Sequence, residues 1–209
     1  MVCNGWAAGP ETWALTTFPR DWTFDYLEQL AGLPERVLTD FDEVLLIGFS
    51  MGSQTALDLY LKYPEKVKGL VLISATPRMM ADEGWPGFSP RRLEALRLGT
   101  EMVYRNNPSP LYAPENLHRG LEWLERTDLR ERLEARPNCR DSINPLPVAI
   151  LHSERDGIVR PHNAEYLHQL FPGSKVTMVP GNEHVLPVTA AHLVDKAVYE
   201  IMEYHKTLN

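Results

Sequence analysis

The chain has 209 residues, a net charge of −7, and 44% hydrophobic and 23% charged residues, a length that suits one domain and a composition that excludes a disordered chain. Its acidic balance excludes a nucleic-acid binder, which needs a basic face for phosphates. No apolar run approaches the roughly 18 residues of a membrane span, and no basic segment followed by an apolar stretch opens the chain, so a cytoplasmic monomer is the default expectation.

In chain order, residues 1–4 read as the tail of a strand and residues 22–27 alternate as a second one. Residues 43–48 form the strongest strand, an apolar run too short for a buried helix. A helix follows directly: Ala56, Leu57, Tyr60 and Leu61 recur at spacings of three and four, and Tyr63-Pro64 closes it. Residues 69–74 are nearly continuous in Val, Leu and Ile, as strands covered on both faces require, and 147–152 and 175–179 repeat the pattern. Helices are predicted over 161–171 and 188–204, the second amphipathic.

The stretch 77–145 breaks this rhythm. It shows no convincing strand, only helical patterns around 90–105 and 114–133 punctuated by prolines. An insertion of this kind commonly covers a site, ordinary crossover helices being the alternative. The expectation is a three-layer α/β fold with a mostly parallel sheet of about six strands. It forms one domain over 1–209, with 77–145 as a helical cap between two core strands. Eleven of the 21 basic residues, all arginine, fall between residues 78 and 140 beside ten acids, so this third of the chain is net positive within an acidic whole. Cys3 and Cys139 match neither metal-site nor disulfide spacing, and both are expected to be reduced.

Gly48-Phe49-Ser50-Met51-Gly52 is a G-x-S-x-G sequence set between the strongest strand and its helix. Composition alone would give about 0.03 such matches in a chain of this length, and the required context lowers that further. A sharp strand-to-helix turn lifts the serine hydroxyl above the sheet, and the flanking glycines avoid collision with the neighbouring strand and helix. The turn also aims the hydroxyl at a helix N-terminus, where free N–H groups can stabilise an oxyanion. A packing turn with no chemistry is the bland alternative.

A serine hydroxyl at neutral pH needs a histidine to take its proton and an acid to orient that histidine. The chain order Ser, acid, His is available. Asp156 follows the late strand, with Glu154 as its rival. His184 follows the last strand, with His152 and His162 as rivals because both could approach the carboxyl end of the sheet. The oxyanion donors are expected to be the N–H of Met51 and the N–H of Trp6, with Gly5 allowing close approach. Trp6, Phe49, Trp85, Met102 and Trp123 are candidates to contact substrate, although packing alone could explain most of them. No metal or organic cofactor is implied.

Gly5-Trp6, the Gly48 to Gly52 turn, Asp156-Gly157 with Pro161 behind it, and His184 together resemble the α/β-hydrolase superfamily. The nearer resemblance is to esterases of biotin synthesis that cleave pimeloyl-[acyl-carrier protein] methyl ester, with Asp25-Tyr26 similar to a compact branch of that group. The resemblance implies ester hydrolysis through an acyl-enzyme on a small-molecule or carrier-linked ester. It also implies that cap arginines, here Arg91, Arg92, Arg97, Arg119 and Arg126, meet an acidic carrier protein. Pairing of those arginines with nearby Glu at helical spacing is the alternative. The sequence departs from the family pattern in having Asn4 where a histidine is usual and in lacking the opening hairpin strands, as a pared-down variant or a chain that begins late would. A short-acyl carboxylesterase, a thioester or carbon–carbon hydrolase, and a non-catalytic ligand-binding protein of the same fold are the other readings.

Overall fold

The computed structural model describes residues 1–136 and 146–208; Cys139 and the last nine residues of the 77–145 stretch lie outside these. Six strands, β1 (Val2–Cys3), β2 (Thr23–Phe24), β3 (Val44–Phe49), β4 (Val67–Ile73), β5 (Val148–Ser153) and β6 (Lys175–Val179), form one sheet in the order β2-β1-β3-β4-β5-β6. Every pairing is parallel.

Period-two alternation along the central strands divides the core between two faces. Leu46, Leu70, Leu72 and Ile150 point to one side, where they meet Leu57 and Tyr60 of helix α3 (Met51–Lys62) and Leu167 of α7 (His162–Leu170). Ile47, Val71, Ile73 and Leu151 point to the other and pack on Leu186 of α8 (Leu186–Thr189) and Val194 and Val198 of α9 (Ala191–Leu208). Helix, sheet and helix thus make the three layers. The near-continuous apolar strands inferred from sequence are the three central ones. β6 departs from that pattern because it is an edge strand, with Val176 and Met178 exposed.

The strand predicted over 22–27 is cut short after Phe24. Asp25 caps helix α1 (Tyr26–Leu30), its carboxylate accepting the N–H groups of Leu27 and Glu28 while Glu28 reaches back to the Asp25 N–H. A second unpredicted helix, α2 (Leu33–Thr39), completes this turn of the chain. Between β4 and β5 lie α4 (Pro90–Asn106), α5 (Pro114–Arg126) and α6 (Arg130–Glu134). The helix predicted over 114–133 is broken at residues 127–129, where Thr127 turns extended and the Leu129 N–H donates to the Pro77 carbonyl. The terminal helix is likewise broken, at Ala190.

Cys3 is buried and free, and burial pushes its thiol up to about 12, so it stays a protonated apolar side chain. Asn4 is a hub beside it. Its Nδ2 donates to the Phe24 carbonyl at 3.1 Å, its Oδ1 accepts the Trp13 indole N–H at 2.5 Å, and its carbonyl accepts Gln29 Nε2 at 2.9 Å. Asn4 thereby ties β1, β2 and the Pro10–Trp13 turn together. Substituting Asn4→Ala strands a buried indole N–H and is expected to lower unfolding free energy by about 1–3 kcal/mol. Chemical denaturation measures this, and an unchanged midpoint would contradict the assigned role.

Candidate active site

Ser50 sits between the last residue of β3 and the first of α3 with φ 52° and ψ −119°, a conformation side chains rarely adopt. The neighbouring glycines make it possible. A Cβ at Gly48 would stand 2.6 Å from the Ser53 Cα in the helix, and one at Gly52 would overlap the Cys3 carbonyl in β1. The Ser53 hydroxyl donates to the Ser50 carbonyl at 2.5 Å, tightening the turn.

Asp156 lies in the turn after β5 and is fully buried. Its Oδ1 accepts the backbone N–H groups of Ile158 at 2.7 Å and Val159 at 3.0 Å, which orients the carboxylate and leaves Oδ2 for a third donor. That donor is His184, on the loop after β6, whose Nδ1 stands 2.7 Å from Oδ2. Since a carboxylate only accepts, the imidazole proton is on Nδ1, and bare Nε2 faces the Ser50 hydroxyl at 3.0 Å. Three side chains far apart in sequence form one hydrogen-bonded line, and the order suits passage of a proton from the hydroxyl to the imidazole, with the carboxylate orienting the ring and balancing its charge.

The rivals stand elsewhere. Glu154 is exposed, and His162 is an exposed residue whose ring meets Trp85 edge-on. His152 is fully buried under the acid: its Nε2–H donates to the Val159 carbonyl at 2.9 Å, and it lies 3.9 Å from Asp156 Oδ2, beyond hydrogen-bond reach.

The Gly5-Trp6 loop leaves β1 beside the serine, so close that a Cβ on Gly5 would stand 3.2 Å from the Ser50 Cβ. The Trp6 ring is latched under α5, its Nε1–H donating to the Leu117 carbonyl at 3.0 Å while Gly120 leaves room for the indole. Met51 is the first residue of α3, where a helical N–H has no intrahelical acceptor.

The other predicted contacts scatter. Phe49 is a core residue whose ring centroid lies 5.3 Å from that of His184. Trp123 packs on the apolar cluster that contains Met51, Leu117 and Leu121. Trp85 is buried on the α7 side, its indole donating to the Arg78 carbonyl at 3.0 Å, and Met102 is 67% exposed on α4. Among the arginines, Arg97 pairs with Glu125 at 2.6 Å, and Arg91, Arg119 and Arg126 are exposed. Arg92 stacks 4.1 Å over the Phe88 ring and donates to the Gly157 carbonyl at 3.0 Å, joining α4 to the acid's turn. Burial, reinforced by Arg160, pulls its proton affinity below the ordinary arginine value, and Asp156 opposes the shift.

A model of the alpha/beta hydrolase family matches residues 5–197. The chain belongs to that family. Two solved structures show its fold. An esterase (EaEST) from Exiguobacterium antarcticum has TM-score 0.74 and 18% identity, with 97% of this chain and 91% of that one covered. The bromoperoxidase from Bacillus anthracis has TM-score 0.72 and 18% identity over 97% and 90%. Curated relatives are pimeloyl-[acyl-carrier protein] methyl ester esterases. That of Salmonella typhi is 30% identical over 160 residues, 64% of this chain and 59% of its own. That of Yersinia enterocolitica is 26% identical over 193 residues, 79% and 71%. The chain thus spans about 59% of the length of the Salmonella relatives it matches.

Burial holds the proton affinity of His152 below the ordinary histidine value, while Asp156 raises it and His184 lowers it further. The unfolded chain binds a proton that the folded one refuses, so this contribution to stability is present above about pH 6.5 and is lost as pH falls below it. His152→Gln retains an N–H for the Val159 carbonyl but cannot titrate. Its thermal midpoint is expected to drop less than wild type between about pH 7.5 and about pH 5.5. Equal drops by calorimetry would reject the linkage.

Proposed function

We propose that the protein is a serine esterase acting through an acyl-enzyme, with Ser50 as nucleophile, His184 as general base and acid, and Asp156 as its orienting carboxylate. The observation that carries the reading is the 3.0 Å approach of a bare imidazole nitrogen to a hydroxyl raised on a strained turn. Ser50 Oγ attacks the ester carbonyl while its proton passes to His184 Nε2. The resulting imidazolium is stabilised by Asp156. The oxyanion is taken by the N–H of Met51 and the N–H of Trp6, each such donor contributing about 3 to 4 kcal/mol to lowering the barrier. His184 then returns the proton to the departing alcohol, and water repeats the cycle to free the acid.

The substrate we favour is a carrier-linked acyl methyl ester of the kind named for the curated relatives, hydrolysed beneath a cap that includes α4, α5 and α6. Exposed Arg91, Arg119 and Arg126 are among the cap charges open to an acidic carrier. A second reading, a short-acyl carboxylesterase without a carrier, is favoured by the internal pairing of other cap arginines. Arg97 binds Glu125, Arg130 binds Asp82 and Asp128, and Arg132 binds Asp58.

Covalent labelling with a fluorophosphonate probe tests the nucleophile. Wild type is expected to label and folded Ser50→Ala is not, with ester turnover falling at least about 10⁴-fold. Undiminished labelling of the variant would reject Ser50. A panel setting simple acyl esters against a carrier-linked ester separates the two substrate readings: a kcat/KM advantage for the carrier-linked ester that disappears in an Arg91, Arg119 and Arg126 triple alanine variant favours the first.

A further inference from the structure

The loop that carries His184 is weakly anchored by packing: Asn182, Glu183 and Val185 are all exposed. Two buried hydroxyls grip its backbone instead. Ser74, just beyond the end of β4, donates its Oγ–H to the His184 carbonyl at 2.8 Å, an acceptor shared with the Leu186 N–H at 3.0 Å. Ser153, the last residue of β5, donates its Oγ–H to the neighbouring Glu183 carbonyl. β4 and β5 are adjacent in the sheet, so both grips come from one rim, and Ser153 stands three residues ahead of Asp156.

Ser74 carries a second observation. Its φ is 45°, one of three positive values among described residues other than glycine, and Ser50 is another. Glycine would occupy that conformation without strain, and its hydroxyl is what serine has to offer there. The Ser74 N–H donates to the Leu151 carbonyl at 2.8 Å, which fixes the residue against β5 and aims its side chain at the loop.

We infer that Ser74 and Ser153 are positioning residues for the general base, holding the 183–184 backbone so that the imidazole spans from Asp156 to Ser50. The inference rests on the Ser50, His184 and Asp156 reading above. Neither hydroxyl touches the reacting atoms. Each acts through the loop carbonyl it binds, and a displacement of about 1 Å at a reacting group can cost about a hundredfold in rate.

The test is the second-order rate of fluorophosphonate labelling in wild type, Ser50→Ala, Ser74→Gly and Ser153→Ala, with thermal midpoints measured alongside. Ser74→Gly is the decisive variant, because glycine relaxes the backbone while deleting the hydroxyl. It is expected to keep or raise the midpoint yet label about ten- to a hundredfold more slowly, with kcat for an ester falling and KM retained. Ser153→Ala is expected to slow labelling similarly, and if it fails to fold, Ser74→Gly alone decides. Wild-type labelling rates in folded Ser74→Gly, with Ser50→Ala inert, would overturn the positioning role and leave the triad standing. A wild type that resists the probe as Ser50→Ala does would overturn both.

Discussion

How near helix α3 can lie to strand β1 sets the whole site. At Gly52 the helix backbone presses against the Cys3 carbonyl so closely that no side chain fits between them, and at Gly48 the strand presses equally on the helix at Ser53. These two contacts force the chain to reverse within one residue, and that residue is Ser50, in a backbone conformation its own side chain disfavours. An added methyl group at either glycine would lift the helix off the strand. The hydroxyl would move away from His184 Nε2. The strain is borne by the parallel pairing of β3 with β1 and β4 on either side.

Against that fixed hydroxyl the acid and base are arranged by desolvation. A carboxylate as buried as Asp156 is costly unless its lone pairs are filled. Two backbone N–H groups and one imidazole N–H occupy three of them. Because the two backbone donors take Oδ1, the imidazole is left Oδ2, and its tautomer is decided before any substrate arrives. His152, equally buried, does not compete, because its Nε2–H is committed to the Val159 carbonyl. It instead supports the turn whose N–H groups bind the acid. The His184 side chain, by contrast, is 16% exposed.

The alternation of apolar strands with helices made the layered fold legible, and the G-x-S-x-G turn made Ser50 legible, because both follow from local rules of spacing. Asp156 and His184 were legible from chain order and from the rule that ligands bind at the carboxyl ends of parallel strands. What spacing could not give was where long helices stop. The break at residues 127–129 comes from a hydrogen bond to Pro77 some fifty residues away, and α1 begins where it does because Asp25 caps it, a capping box that the Asp25 to Glu28 spacing did encode. The roles of Asn4, Ser74 and Ser153 were hidden for a related reason. Each is an ordinary polar residue whose partner is a backbone carbonyl or an indole distant in sequence, and no residue pattern marks such pairs.

The arginine enrichment between residues 78 and 140 takes on a different meaning once partners are known. Arg78 and Arg130 converge on Asp82 and Asp128, and Arg132 reaches Asp58 on α3. Partly exposed pairs of this kind contribute little each, about 0–1 kcal/mol, so they cannot be what seats these helices. The apolar cluster of Leu93, Leu117, Leu121 and Leu124 does that, and it also contains Met51 from the turn and Val159 from the acid's loop. The ion pairs lie at the margin of that packing, Arg132 reaching from α6 to α3. Since α5 also latches Trp6 through the Leu117 carbonyl, the seating of the inserted helices and the placement of Ser50, Asp156 and the early loop are a single packing problem. A core change that shifts α5 should therefore register at Ser50 before it registers at the surface.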